Sequence, residues 1–364
     1  MTRILLAGGG TGGHLMPALA IAEALREIRP EIEPVLVGAT RGVEARILPE
    51  RGFRHHLLPF EPIYRRTWWK NVRWFSLVPR ILRAGSRVLD AEAPAVAVGT
   101  GGYASGPILF QASVRGIPVV LQEQNAYPGV TTRWLARRAR HIYLGFPEAR
   151  GRLRAGPNTQ MFEYGNPIVP PPRTRATPAA ARAKFGLPTD GPVVLVMGGS
   201  QGARSVNRAV AAALDGGLVR DVAILWSAGP GQWQEYRAYD RPPRCVVRPF
   251  IDPISEAYEA ADLAVTRAGA MTTAELCAWG LPSVLVPLPT AAGDHQTRNA
   301  EAMERDGAAV HLPETALNAE RLSRELHAVL GSADRLSGMA AAAAARGHPN
   351  AAQNIAREIL GLVG

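Results

Sequence analysis

The stretch Gly8-Gly9-Gly10-Thr11-Gly12-Gly13-His14 places five glycines within six residues, between an apolar strand pattern and a helical one. Without Cβ atoms such a turn lets backbone amides reach an anion, and the following helix dipole adds positive potential, so phosphate binding is the expected chemistry. The spacing departs from the strict dinucleotide fingerprint and lacks the Gly-Lys-Ser/Thr ending of a P-loop. A tight turn with no ligand would use the same glycines. His14 can act as a base near neutral pH or donate to a diphosphate, and helix capping or packing is its structural alternative.

Gly198-Gly199-Ser200-Gln201-Gly202-Ala203-Arg204 repeats the arrangement later in the chain and adds a hydroxyl and a guanidinium, which suits a nucleotide's phosphates. Arg267-Ala268-Gly269-Ala270-Met271-Thr272-Thr273-Ala274-Glu275 also leads from a strand into a helix. Thr272 and Glu275 have capping-box spacing, yet a carboxylate on the first turn can equally accept two hydroxyls of a ribose. A third glycine loop, Gly99-Thr100-Gly101-Gly102-Tyr103-Ala104-Ser105-Gly106, suits a second anion such as an acceptor diphosphate. Gln122-Glu123-Gln124-Asn125, ending another strand, is expected to point polar groups the same way.

These loops need strands behind them and helices in front. Apolar runs at Arg3 to Ala7, Val35 to Val37, Ala95 to Val98 and Val119 to Gln122 alternate with helical stretches, the signature of a parallel α/β sheet. The series recurs at Pro192 to Met197, Ala223 to Trp226, Cys245 to Arg248, Leu263 to Thr266 and Ser283 to Val286. Between the two, Tyr164 to Pro178 is proline-rich and resists both helix and sheet. The expected organisation is therefore a domain at 1–163, a linker at 164–178, a second domain at 179–340 and a C-terminal helical segment at 341–364. Both domains read as doubly wound Rossmann-like α/β units. Ligands are expected in an interdomain cleft, since open sheets of this kind bind at the carboxyl ends of their strands.

Composition is that of a folded protein, and two cysteines, Cys245 and Cys277, make neither a disulfide framework nor a zinc spacing. The start of the chain lacks the pattern of a secretory leader, and no run is long and apolar enough to cross a bilayer. The formal charge of +10 is uneven: residues 1–164 hold 22 basic and 12 acidic side chains, the remainder 19 of each. From Phe60 to Arg87, Arg65, Arg66, Lys70, Arg73, Arg80, Arg83 and Arg87 interleave with Trp68, Trp69, Trp74, Phe75 and Leu77. Arginine beside tryptophan suits the headgroup layer of an anionic membrane, so peripheral contact is expected there. A solvated helix with its aromatics in the core is the alternative. A nucleic-acid face is also conceivable on charge alone, but no nucleic-acid module is present, so no such partner is expected.

In order and spacing, GGGTGGHLMPALAIAEAL, GTGGYASGP, QEQNAYPG, GGSQGAR, RAGAMTTAELCAWGLPSVLVPLP and GDHQTRNAE resemble the MurG family over nearly the whole chain. The resemblance implies a GT-B fold and inverting transfer of N-acetylglucosamine from UDP-N-acetylglucosamine to undecaprenyl-diphosphate-linked N-acetylmuramoyl-pentapeptide, at the cytoplasmic face of the cell membrane. It also implies donor contacts at Thr11, Gly12, Gly13, Asn125, Ser200, Ile251, Ala270 to Glu275 and Gln296. Within that set the backbone of Ile251 would face uracil, Glu275 the ribose, and Gln296 and Asn125 the sugar. Gly101, Gly102, Tyr103 and Ser105 would face the acceptor diphosphate, and His14 is the candidate base or phosphate contact. Several relatives have arginine shortly after the linker's Gly-Asn-Pro; here Gly165-Asn166-Pro167 is followed by Ile168 and Val169, and Arg173 is the nearest substitute. No Asp-x-Asp pair occurs, so no metal and no tightly bound cofactor are expected. A UDP-N-acetylglucosamine 2-epimerase would share the twin-domain plan and the donor.

Overall fold

The fold, a computed structural model, describes residues 1–10, 12–61 and 74–363, with the backbone alone at 74–76. It divides into two compact units, Met1–Val169 with Asn350–Gly364, and Pro170–Pro349.

In the first unit the chain runs β1 (Thr2–Ala7), α1 (Gly12–Ile28), β2 (Ile32–Ala39), α2 (Glu44–Glu50), β3 (Arg54–Leu58) and α3 (Trp74–Glu92). It continues through β4 (Val96–Gly99), α4 (Gly106–Val114), β5 (Val119–Glu123), α5 (Val130–Leu135), β6 (His141–Leu144) and β7 (Gln160–Phe162). The second unit holds α6 (Pro178–Phe185), β8 (Val193–Met197), α7 (Arg204–Asp215), β9 (Ala223–Ser227), α8 (Trp233–Tyr236), β10 (Cys245–Arg248) and α9 (Ile254–Ala260). After these come β11 (Leu263–Thr266), α10 (Ala270–Trp279), β12 (Ser283–Leu285), α11 (His295–Arg305), β13 (Ala309–His311), α12 (Ala319–Leu330) and α13 (Ala333–Ala345). The final helix, α14 (Ala351–Gly361), belongs to the first unit.

Both sheets are parallel, in the orders β3-β2-β1-β4-β5-β6-β7 and β10-β9-β8-β11-β12-β13. Each reverses direction once, between β1 and β4 in one unit and between β8 and β11 in the other. At such a switch point the helices that follow the two central strands pack on opposite faces, and open sheets of this kind bind ligands beside the strand ends there. Register carries the loops there in step: Ala7 pairs with Gly99, and Met197 with Thr266.

The apolar runs reflect burial on both faces of the sheet. In β1, Leu5 and Ala7 pack with Ile81 and Leu89 of α3, whereas Ile4 and Leu6 pack on the other face with Leu19 of α1 and Ile355 of α14. The C-terminal boundary expected at 340/341 falls inside α13, and the chain changes unit only beyond Pro349. The apolar side of α14 drives this, with Ile355, Ile359 and Leu360 all buried against α1 and its neighbours. Tyr164 adds a hydrogen bond to Glu358 Oε1 at 3.1 Å.

Candidate active site

In the first unit the loop after β1 and the loop after β4 lock together. Gly10 lies at φ +93°, where a Cβ would stand 2.5 Å from the Tyr103 ring, and Gly102 at φ +80°, where one would stand 2.0 Å from the Gly9 carbonyl oxygen. Any side chain at either position would force the loops apart. Gly12 and Gly13 are exposed and form the first turn of α1, where helix amides have no partner within the helix. Thr11 lies outside the described residues.

His14 follows, half-buried, with Nδ1 3.1 Å from the Thr100 carbonyl oxygen and 3.1 Å from Gln124 Oε1. Thr100 Oγ1 donates to the His14 carbonyl at 2.6 Å, which fixes the turn of helix carrying the ring. The ring is seated on Gly101, where a Cβ would come within 2.9 Å of Nδ1.

Several of the expected site residues are bonded within the fold. Ser105 is fully buried and donates to the Gly102 carbonyl at 3.1 Å, closing its own loop, so its hydroxyl is not presented to an acceptor. Gln122, Glu123 and Gln124 are buried as well. Glu123 accepts the Asn125 amide at 3.1 Å and the Gly129 amide at 3.0 Å, and Gln122 donates to Asn166 Oδ1 at 2.9 Å. Asn125, also largely buried, has its side-chain nitrogen 3.4 Å from Glu123 Oε1. These polar groups satisfy the backbone around the switch point, which an apolar core would leave unpaired.

Sequence reasoning missed Glu44. Fully buried beneath the first glycine loop, it accepts the Gly10 amide at 2.7 Å and the Ala39 amide at 3.2 Å. One of the loop's amides therefore serves the fold, not a ligand. The signal was Gly38 and Gly42, where a Cβ would press on the Glu44 side chain at 2.7 and 2.9 Å.

In the second unit the Gly198 loop is equally tight, since a Cβ at Gly198 would lie 2.1 Å from the Ala203 nitrogen and one at Gly202 2.2 Å from the Ala228 oxygen. Ser200 and Gln201 are exposed on it, ahead of the N-terminus of α7. Arg267 braces the neighbouring loop from below. It donates to the Val286 and Pro287 carbonyls at 3.2 Å and to Ser205 Oγ at 3.0 Å, and pairs with Glu314.

Helix α10 begins at Ala270 with Gly269 as its N-cap and no side-chain cap, so the capping-box reading of Thr272 and Glu275 does not apply. Both sit inside the helix. Thr273 is buried and directs its hydroxyl proton at the Gly269 and Ala270 carbonyls at 3.1 and 3.0 Å. Ala270 is buried too, whereas Met271, Thr272 and Ala274 are half-buried.

Glu275 receives the Tyr258 hydroxyl on Oε2 at 2.7 Å, which holds the carboxylate and leaves Oε1 for another donor. Burial pushes its carboxyl above the ordinary range, against the opposing pull of the Tyr258 bond. Gln296 accepts the Leu288 amide on Oε1 at 2.9 Å, an orientation that reserves its NH₂ for donation. Ile251 follows β10 with its side chain buried, and Arg173 in the linker is exposed.

Of the basic aromatic stretch, Arg65, Arg66, Trp68, Trp69, Lys70 and Arg73 lie outside the described residues, as do the side chains of Trp74 and Phe75. Arg80 is exposed on α3. Beyond it Val78, Leu82, Val114 and Trp134 are exposed apolar side chains, and a groove of about 590 Å³ between α3 and α4 is lined by Leu82, Arg83, Arg87, Phe110, Val114 and Arg115. Trp134 stacks on Phe110 at 5.1 Å, with the Arg138 guanidinium over the same ring at 5.0 Å. Among the described residues no helix is long and apolar enough to cross a membrane.

The glycosyltransferase family 28 N-terminal domain profile matches residues 4–144, and the glycosyltransferase family 28 C-terminal domain profile residues 193–355. A UDP-N-acetylglucosamine--N-acetylmuramyl-(pentapeptide) pyrophosphoryl-undecaprenol N-acetylglucosamine transferase from Salinibacter ruber is 45% identical, over 99% of this chain and 96% of that one. The protein of the same name from Moorella thermoacetica is 40% identical over 98% of each chain. The crystal structure of Acinetobacter baumannii MurG superposes with a TM-score of 0.78 at 28% identity, covering 99% of this chain and all of that one. A putative UDP-N-acetylglucosamine 2-epimerase from Listeria monocytogenes, at 16% identity and a TM-score of 0.69, shares the fold alone. With both profiles matched and these identities sustained over nearly its full length, the chain belongs to the MurG family within glycosyltransferase family 28, N-acetylglucosaminyltransferases of the GT-B fold.

Proposed function

We propose that this protein transfers N-acetylglucosamine from UDP-N-acetylglucosamine to the C4 hydroxyl of N-acetylmuramoyl-pentapeptide on undecaprenyl diphosphate, converting lipid I to lipid II in peptidoglycan synthesis. The carrying observation is the 45% identity, across 99% of the chain, to a transferase named for that donor and acceptor.

In this reading His14 takes the proton of the C4 hydroxyl as its oxygen attacks the anomeric carbon, and UDP leaves from the opposite face with inversion. The amides of Gly12 and Gly13, at the positive end of α1, and Tyr103 line the phosphate side of the first unit. The charge growing on UDP is met by the Gly198 loop, Ser200 and the N-terminus of α7. Glu275 Oε1 accepts the ribose hydroxyls, the Ile251 backbone meets uracil, and the Gln296 NH₂ donates to the sugar. Asn125 helps to place that sugar.

The exposed apolar side chains of α3, α4 and α5, rimmed by Arg80, Arg83, Arg87 and Arg138, support peripheral attachment to the anionic inner face of the membrane, where the acceptor resides.

Incubation with UDP-N-acetylglucosamine and a soluble lipid I analogue tests the assignment. UDP should appear only when the acceptor is present, together with the β-linked disaccharide. An epimerised nucleotide sugar formed without acceptor would replace this assignment with the 2-epimerase reading.

A further inference from the structure

Two acceptors face His14 Nδ1. One is the Thr100 carbonyl oxygen and the other Gln124 Oε1, each at 3.1 Å. The orientation of the Gln124 amide follows from its other end: Nε2 donates to the Thr100 carbonyl at 2.8 Å and to the Gln122 carbonyl at 3.1 Å, and it also meets Gln122 Oε1. Reversing the amide would bring Oε1 against carbonyl oxygens and lose every one of these bonds. Gln122 is pinned in turn by Asn166, whose own Nδ2 donates to the Gln124 carbonyl at 3.0 Å. This buried amide chain runs from the segment after β7 to the imidazole.

We infer that Gln124 is a positioning residue for the transfer: its carbonyl oxygen holds the proton of neutral His14 on Nδ1 and thereby makes Nε2 the basic nitrogen. The inference rests on His14 acting as the base. When Nε2 takes the acceptor's proton, the imidazolium that forms keeps its Nδ1–H directed at the Gln124 and Thr100 oxygens, whose dipoles are already oriented to receive it. No proton leaves Nδ1 in the step. Among the described residues, Glu44 lies beneath the glycine loop ahead of the ring, its carboxylate engaged by the Gly10 and Ala39 amides. The loop from β4 to α4 contributes Tyr103; the end of β5 contributes Glu123, whose carboxylate is engaged by the Asn125 and Gly129 amides; and the first charged side chain of α1 after the ring is Glu23. A neutral amide therefore occupies the position where a carboxylate would raise the basicity of His14.

Two measurements test this. In ¹⁵N-histidine spectra, with the His14 signal assigned by its loss in His14→Gln, the neutral ring should carry its proton on Nδ1. The Nε2–H tautomer would overturn the inference. In Gln124→Glu the new carboxylate should raise the imidazolium pKa by about one unit or more. The acid limb of the kcat profile should move up by the same amount, giving a loss that approaches about tenfold on the acid side of both limbs and recovers as pH rises, with little change in KM for UDP-N-acetylglucosamine. Gln124→Leu should lower kcat at every pH. If the His14 titration in Gln124→Glu stays at its wild-type position, the role of Gln124 is refuted. If the titration moves while the rate profile does not, Gln124 positions the ring but His14 is not the base.

Discussion

At the scale of single residues, burial divides the chemistry from its scaffolding. Glu44 opens α2 and Glu275 lies within α10, yet Glu44 is closed beneath backbone amides while Glu275 keeps one oxygen open beside Tyr258. Glu275→Ala should therefore weaken donor binding by about 2 kcal/mol, a rise of roughly 30-fold in KM for UDP-N-acetylglucosamine with a smaller effect on kcat. The pH dependence has a definite sign. Because burial raises the folded-state pKa, the carboxylate is lost as pH falls through a value above the ordinary range, so wild-type KM should climb on the acid side earlier than an exposed carboxylate would allow. Glu275→Gln should flatten that rise, and steady-state kinetics between pH 5 and 8 would show it. Ser105 marks the limit of reading residues from type: a hydroxyl in a glycine loop looks like a ligand group until its proton is seen to be given to its own backbone.

At the scale of elements, α3 serves two environments. Its inner side places Leu77, Ile81, Val88 and Leu89 in the core, and its outer side exposes Val78, Leu82, Arg80, Arg83 and Arg87. Its last residue, Glu92, is fully buried and accepts His56 Nε2 at 2.7 Å and Arg54 Nε at 2.9 Å, with Arg3 Nε at 3.4 Å. Burial alone would raise this carboxyl, but the bonds and charges of His56 and Arg54 bring it below the ordinary value. A depressed folded-state pKa stabilises the fold above the ordinary carboxylate range, and that contribution is lost as pH falls through the lowered value. Glu92→Gln should cost about 3 kcal/mol in urea unfolding at pH 7, and the gap from wild type should narrow as the pH approaches 3. The outer face answers to a different assay. Leu82→Glu combined with Trp134→Glu should reduce binding to anionic vesicles roughly tenfold, while activity on a soluble acceptor analogue is retained. Unchanged vesicle binding would remove this face from the membrane contact. β3 shows why some elements escape sequence reading: an edge strand reading RHHLL, it carries Arg54, His55 and His56 where a central strand carries valines, with Arg54 and His56 bonded to Glu92 and His55 to the Phe53 carbonyl.

At the scale of the whole molecule, chain order and structural membership part at Pro349. Helix α14 follows the second unit in sequence but completes the core of the first, where Ile355, Ile359 and Leu360 each contribute about 2 kcal/mol of burial. Ile355→Ala should therefore destabilise by about 3 kcal/mol and raise amide hydrogen exchange within residues 1–169, leaving protection within 170–349 near wild type. Loss of protection in the second unit would reverse the assignment. Two parallel α/β units, the positions of their glycine loops, the basic excess of residues 1–164 and the resemblance to the MurG family were all legible in the sequence, because they rest on local periodicity, on the absence of a Cβ and on composition. Only the tertiary structure decided which loops meet, which hydroxyls are spent on backbone, that Glu44 supports the first glycine loop and that α14 returns to β1. Those outcomes depend on strand order and on contacts between residues far apart in the chain, which local patterns do not encode. His14 needed both: its place beside a glycine loop marked it for chemistry, and the fold of β4 and β5 supplied the two oxygens that set its proton.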